Sequence, residues 1–121
     1  MGLHYYSIET LPSQLDVVWC YYPIEEVPRA PSEVPHPCLV RALQLSDDHR
    51  TAWVGVCFGT SKNIMDDPLD LVISNMSEMN TAGLYYATRF KLGKFRKLPW
   101  ASEFFAHPSG KGSPIIGKLG Q

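Results

Sequence analysis

The side chains of this sequence that could do chemistry stand beside short apolar runs. His36 precedes one such run, and Thr60 and Ser61 follow a second. Arg89 and Lys91 lie within a third. Imidazole, hydroxyl and cationic groups suffice to cleave a phosphodiester, because they can move a proton and stabilise charge on the phosphorus. If the attacking group is a neighbouring 2′-hydroxyl, the substrate is RNA. The plain alternative is that Thr60 and Ser61 complete a turn and that His36 is an exposed loop histidine.

Metal chemistry has weaker support in the sequence. The segment His36-Pro37-Cys38 places two metal-binding side chains close together. Zinc sites use paired ligands such as C-x-x-C, and no second pair accompanies this one. Cys20 and Cys57 each stand alone inside an apolar run. We therefore expect no metal.

Nucleotide cofactors and serine-hydrolase chemistry are not indicated either. Gly59-Thr60-Ser61-Lys62 contains the residue types of a Walker loop in another order and lacks its upstream glycine. The G-x-G-x-x-G and G-x-S-x-G patterns are absent from the sequence. We therefore expect no cofactor.

The bulk properties fit one small folded domain spanning residues 1–121. Hydrophobic residues make up 45% and charged residues 19% of the chain, as in ordinary globular proteins. The three cysteines have unrelated spacings, which favours reduced thiols in a cytoplasmic protein. The N-terminus does not have the pattern of a signal peptide, and the apolar run 17–22 is too short to cross a bilayer. We expect a cytoplasmic protein that does not enter membranes.

The net charge of −1 conceals an asymmetry between the two parts of the chain. Residues 1–80 carry four basic and eleven acidic side chains, a balance of −7, whereas residues 81–121 carry seven basic and one acidic, a balance of +6. A basic part can present a face that attracts phosphate. Alternatively, the two parts neutralise each other in the fold or across a dimer.

The elements that must position these side chains are mostly strands. Residues 17–22 are rich in β-branched and aromatic types, which predicts a strand, and the proline-rich stretch 23–37 predicts a loop. Residues 39–45 and 51–58 predict a hairpin around a polar turn.

Shorter elements are expected in the rest of the chain. We predict a strand at 71–73, a helix capped by Ser74 and ended by Gly83, and a strand or hairpin arm at 85–95. Pro99 predicts the start of a brief helix that carries Trp100, Phe104 and Phe105 on one side, and the residues from His107 onward predict a surface tail. This is a mainly β fold, a small barrel or strongly bent sheet with one or two short helices.

Several segments, read in order, resemble the PemK/MazF family of toxin-antitoxin endoribonucleases over about residues 15–120. The segments are Val17-Val18-Trp19-Cys20, Pro35-His36-Pro37-Cys38-Leu39-Val40 (similar to R-P-A-L-V), Val56-Cys57-Phe58-Gly59-Thr60-Ser61-Lys62 (similar to a strand ending in G-T-S-Q), Ala82-Gly83-Leu84 and Thr88-Arg89-Phe90-Lys91-Leu92 (similar to A-G-L…T-K-F-D-L), and Leu98-Pro99-Trp100 with later C-terminal residues.

The resemblance implies a small Src-homology-3-like β-barrel that forms a homodimer and cuts single-stranded RNA without metal. It also implies a cognate antitoxin as partner. Thr60 matches the family's site threonine, and Arg89 matches a basic site position. The family's catalytic arginine falls on His36, and its acid falls on Lys91.

These matches give each candidate residue an expected role. His36 is the proton-transfer group and Thr60 the hydrogen-bond donor to the scissile phosphate. Arg89 and Lys91 clamp phosphates, and Ser61 and Lys62 of the following turn contribute to substrate binding. Because arginine-to-histidine and acid-to-lysine changes alter charge and geometry, the alternative is a binding module that no longer cuts. A purely structural domain would leave the cluster unexplained.

Overall fold

A computed structural model describes residues 2–62, 67–108 and 112–120. Its strands are β1 (Asp16–Cys20), β2 (His36–Leu45), β3 (Ala52–Thr60), β4 (Asp70–Ile73), β5 (Thr88–Pro99) and β6 (Ile115–Lys118). A single α-helix, α1 (Met76–Ala82), and a short 3-10 helix (Ile8–Thr10) complete the elements of the described residues. The strands form one antiparallel sheet in the order β4-β5-β3-β2-β1-β6. The prediction of a mainly β fold is confirmed.

The central hairpin of β2 and β3 forms where the sequence predicts it. Its polar turn is closed by the Ser46 hydroxyl, which donates to the Asp48 carboxylate at 2.6 Å. His49 adopts a left-handed backbone conformation (φ 60°), which turns the chain into β3. The run of alternating apolar residues in β3 then pairs with both β2 and β5.

Two irregularities bend this sheet. The β2–β3 register shifts between Val40 and Ala42, and the β3–β5 register shifts between Cys57 and Phe58. Such bulges bend a strand and increase its twist. The first part of β5 therefore pairs with the end of β3 and with β4, while its second part pairs with the start of β3.

The bent sheet is not a closed barrel, which corrects that part of the fold prediction. Among the described strands, β4 and β6 are the two edges and do not pair with each other. Helix α1 follows β4 and packs against β6, so it covers the opening. The approach is close: a Cβ on Gly117 would overlap the backbone of Ala82.

The buried side chains form one cluster on each face of the sheet. The larger cluster holds Val18, Val54, Val56, Trp100 and Phe105, and the smaller holds Val17, Leu39, Met79, Ala82 and Phe90. Adjacent residues Val17 and Val18 belong to different clusters, as expected for a strand buried on both faces.

Three local predictions were wrong. Asn75, not Ser74, caps α1, and its side chain accepts hydrogen bonds from the amides of the first turn. Pro99 ends β5 and is followed by turns rather than a helix. The tail after His107 contains β6, which pairs with β1. No helix of the described residues is long and apolar enough to span a membrane.

Candidate nucleic-acid site

Three neighbouring strand ends bring the predicted site residues onto one face of the sheet. Thr60 in β3 pairs with Arg89 in β5, and Phe58 pairs with both Lys91 and Cys38. Directly paired residues share a face, as do residues two apart in a strand. His36, two residues before Cys38, therefore lies on the same face as the rest. Together with Asp70 of β4, the residues His36, Thr60, Arg89 and Lys91 form a group that we call the strand-end cluster.

His36, the first residue of β2, is half-buried at the edge of this cluster. Its ring meets the ring of Phe58 edge-on, with centroids 5.0 Å apart. Burial lowers the pKa of His36 below its ordinary value, and the positive charge of Lys62 lowers it further. The imidazole is therefore neutral at neutral pH and can accept a proton.

Thr60, the last residue of β3, is buried and takes part in the turn that follows it. Its hydroxyl oxygen accepts a hydrogen bond from the Lys62 amide at 3.1 Å. This contact agrees with the plain reading of Thr60 as a turn residue. It leaves the hydroxyl proton available as a donor, because a threonine hydroxyl both donates and accepts. Ser61 and Lys62 are exposed in the turn.

Asp70, which was not among the predicted site residues, joins the two cations of the cluster. It lies opposite Lys91 in the β4–β5 pair. One of its oxygens, Oδ2, accepts from Lys91 Nζ at 2.7 Å and from Arg89 Nη1 at 3.1 Å. The Asp70 side chain is only 2% exposed. Burial alone would raise the pKa of this carboxyl, but the bonds from Lys91 and Arg89 outweigh that effect and lower it.

The ion pairs change the expected roles of the two cations. Lys91 is 8% exposed and its ammonium is hydrogen-bonded to Asp70 at 2.7 Å, so that ammonium is already engaged by a carboxylate. The side chain of Arg89 is 22% exposed and borders the surface. A sequence signal for Asp70 existed in its position directly before the apolar run 71–73. Its partners follow only from the strand pairing.

Two cavities adjoin His36. The proline-side cavity, of about 660 Å³, lies between β3, β5 and the proline-rich loop. The tyrosine-side cavity, of about 280 Å³, lies on the other side of His36. Its lining includes Trp19, His36, Ser61, Tyr85, Tyr86 and Thr88. A polymeric ligand that passes over His36 would therefore meet a cavity on either side of this residue.

The proline-rich loop is fastened to β5 by basic side chains. The Arg96 guanidinium donates to the carbonyl of Pro28 at 2.5 Å, and the Lys94 ammonium lies 3.5 Å from the Glu25 carboxylate. These contacts position the wall of the proline-side cavity. They also pair basic side chains of residues 81–121 with partners from residues 1–80.

No three His, Cys, Asp or Glu side chains lie close enough to hold a metal ion in the part of the chain that the structure describes. The three cysteines are buried and unpaired by disulfides. Comparisons with protein-family models, with curated proteins and with solved structures found no match to this chain.

Proposed function

We propose that this chain is a metal-independent endoribonuclease of the PemK/MazF type that cuts single-stranded RNA. In this proposal it is a cytoplasmic homodimer that a cognate antitoxin inhibits. The observation that supports it best is the strand-end cluster, in which three strands place a neutral imidazole, a hydroxyl and an arginine on one face.

The chemistry that these groups can perform begins at the 2′-hydroxyl of the substrate. His36 takes the 2′-hydroxyl proton as the 2′-oxygen bonds to phosphorus. The bond from phosphorus to the 5′-oxygen breaks, and that oxygen takes a proton from water. Thr60 and Arg89 donate hydrogen bonds to the non-bridging oxygens, where negative charge accumulates. The products are a 2′,3′-cyclic phosphate and a 5′-hydroxyl.

Asp70 bears on the departure of this sequence from the family pattern. The family's acid falls on Lys91, and Asp70 supplies a carboxylate directly opposite Lys91 from the neighbouring strand. The carboxylate and two cations are thus present together, although the strands that carry them differ. This arrangement supports a site rebuilt from other positions.

A second candidate is a binding module that engages an antitoxin or nucleic acid without cutting. The burial of Lys91 and the pairing of both cations with Asp70 favour it, because paired cations have less charge to offer a phosphorane. This candidate keeps the same face as its binding surface.

Incubation with a mixed single-stranded RNA pool, with and without EDTA, separates the two candidates. We expect cleavage in both conditions, with cyclic phosphate at the new 3′ ends. His36→Ala should lower the rate by about two to four orders of magnitude, while His36→Arg should keep or increase activity. A matched control is His49→Asn in the distant β2–β3 turn, where asparagine tolerates the left-handed backbone.

Two results contradict the enzyme proposal. One is RNA binding by the wild type without cleavage at any pH, which supports the binding module. The other is cleavage that stops in EDTA and returns with a divalent ion. An inactive protein whose RNA binding ignores His36, Thr60, Arg89 and Lys91 would move the function to another surface.

A further inference from the structure

The segment between α1 and β5 presents two tyrosines to solvent beside the candidate site. Tyr85 is 92% exposed and Tyr86 is 71% exposed. Within residues 2–62, 67–108 and 112–120, neither ring stacks on another aromatic ring. Both line the tyrosine-side cavity together with His36 and Ser61 of the candidate site. Exposed apolar side chains are normal singly, whereas adjacent ones that line a cavity can mark a binding site.

The backbone that carries these tyrosines is firmly held. Gly83 ends α1 in a left-handed conformation (φ 74°), and the Leu84 amide donates to the Met79 carbonyl at 2.9 Å. The Thr88 hydroxyl donates to the carbonyl of Tyr86 at 3.0 Å. A Cβ on Gly83 would overlap the carbonyl of Ile116, so the segment rests directly on β6. The rings are therefore exposed on a fixed support.

From this arrangement we infer that the tyrosine-side cavity binds a nucleobase of single-stranded nucleic acid by stacking on Tyr85 and Tyr86. The inference rests on the proposed function, since it assigns a subsite to the same ligand. A base has two flat apolar faces and a polar edge, and aromatic side chains bind single-stranded bases by stacking on those faces. The cavity volume of about 280 Å³ lies at the small end of ligand pockets, which suits one base better than a folded partner.

The polar groups around the cavity fit the remainder of a nucleotide. Ser61 and His36 lie in its wall and can hydrogen-bond the base edge or the sugar. Lys62, exposed and next to Ser61, provides a positive charge for the adjoining phosphate. A base in this cavity would place its neighbouring phosphate near His36, which lines the cavity.

The test measures binding apart from cleavage. The ligand is a single strand of about 16 nucleotides, which is the upper site size of an OB fold that binds single strands. It is made entirely with 2′-O-methyl sugars, so that the attacking hydroxyl is blocked. It carries the fluorescent base 2-aminopurine at its centre and randomised bases elsewhere. Stacking quenches the fluorescence of 2-aminopurine, and anisotropy of an end label gives the affinity.

The expected results compare two double variants. Tyr85→Ala with Tyr86→Ala should weaken binding by roughly 5- to 150-fold, the effect of losing about one stacked base, and should abolish the quenching. Tyr85→Phe with Tyr86→Phe retains the rings and should behave as wild type. Tyr5→Ala is the control, because this partly exposed tyrosine does not line the cavity.

The outcomes distinguish this inference from the proposed function. Unchanged affinity and quenching in the alanine double variant overturn the stacking site even if the wild type cuts RNA. Loss of quenching in that variant, with a wild type that binds but never cuts, establishes the stacking site and rejects the enzyme. A wild type that binds no single strand at about 50 mM salt overturns both.

Discussion

His36 is in contact with both cavities and with the aromatic ring of Phe58, and its protonation decides what the cluster can do. A histidine in water has a pKa near 6.5. Burial and the Lys62 charge both disfavour the imidazolium, so the pKa of His36 lies lower. A base with a lowered pKa stays unprotonated over more of the physiological range, at some cost in proton affinity.

The pH dependence of cleavage follows from that shift. The rate should be highest above the His36 pKa and fall as the pH drops through it, with an inflection below ~6.5. Nuclear magnetic resonance titration of the imidazole should give the same pKa. Lys62→Ala should raise this pKa toward the ordinary value, whereas Lys118→Ala in β6 should not change it. An unchanged pKa in Lys62→Ala would refute the electrostatic explanation.

The same shift predicts how stability depends on pH. Because the folded protein binds the His36 proton less readily than the unfolded chain, this residue makes stability rise with pH between its folded pKa and ~6.5. Above ~6.5 its contribution is constant. His36→Phe, which cannot titrate, should lack this dependence in urea unfolding measured across the window.

Asp70 matters to the sheet as well as to the candidate site, because it links edge strand β4 to β5 through Lys91 and Arg89. Asp70→Asn leaves two buried or half-buried cations without the carboxylate, so we expect the thermal midpoint at pH 7 to fall by roughly 5 °C or more. Asp47→Asn, in the exposed β2–β3 turn, is the matched control.

The dependence of stability on pH in acid gives a second check on the role of Asp70. Its lowered pKa means that its contribution is present above the unfolded value of ~3.9 and is lost as the pH falls through the folded pKa. The difference between wild type and Asp70→Asn should therefore shrink in acid. A difference that stays constant from pH 7 to pH 3 would show that the pair does not act through charge.

At the scale of elements, Gly83 is where α1, β6 and the tyrosine segment meet. Gly83→Ala should destabilise the fold by more than about 1–2 kcal/mol, the cost of the left-handed backbone for a non-glycine residue, because its Cβ also overlaps the Ile116 carbonyl. Gly120→Ala has open space around its Cβ and should change stability by less than ~0.5 kcal/mol. Urea unfolding monitored by tryptophan fluorescence measures both.

The sequence predicted strands well where β-branched residues concentrate, as in β1 and β3. It missed β6 because residues 115–118 include glycine and lysine and follow a segment rich in glycine, serine and proline. What makes them a strand is the open edge of β1. The helix predicted after Pro99 failed for a related reason: Trp100 and Phe105 are fixed by burial in the larger cluster, not by helical periodicity.

The residue types of the candidate site could be predicted from the sequence, but the contacts between their side chains could not. His36 and Thr60 stand at the start or end of apolar runs, and Arg89 and Lys91 lie within one. The strand order β5-β3-β2 brings the four residues together. No local pattern reveals that Asp70 faces two of them across a strand pair. The exposure of Tyr85 and Tyr86 depends equally on how α1 ends against β6, which a linear sequence does not show.

At the scale of the whole molecule, assembly stays a prediction. The homodimer rests on the family resemblance, and the large aromatic side chains Trp100, Phe104 and Phe105 are buried within the chain. Trp53 and Phe95 remain partly exposed. Light scattering at tens of micromolar measures the state directly, and a monomer would count against the dimer.

The charge asymmetry of the sequence does not produce two separate halves in the fold. Basic strand β5 lies between β4 and β3, both from the acidic part of the chain. Three of its basic residues form ion pairs with that part: Arg89 and Lys91 with Asp70, and Lys94 with Glu25. Of the two interpretations of the charge pattern, internal neutralisation accounts for these contacts.

This neutralisation predicts a weak dependence of RNA binding on salt. Each phosphate neutralised on a single strand contributes about −0.7 to the slope of log K against log salt. Lys62 and the exposed part of Arg89 are cationic groups at the surface of the site. We therefore expect a slope of log K against log salt no steeper than about −2. Lys62→Ala should make it shallower by ~0.7, and Lys118→Ala should leave it unchanged. A slope of about −5 or steeper would mean that another basic surface binds the backbone, because the strand-end cluster does not offer that many phosphate contacts.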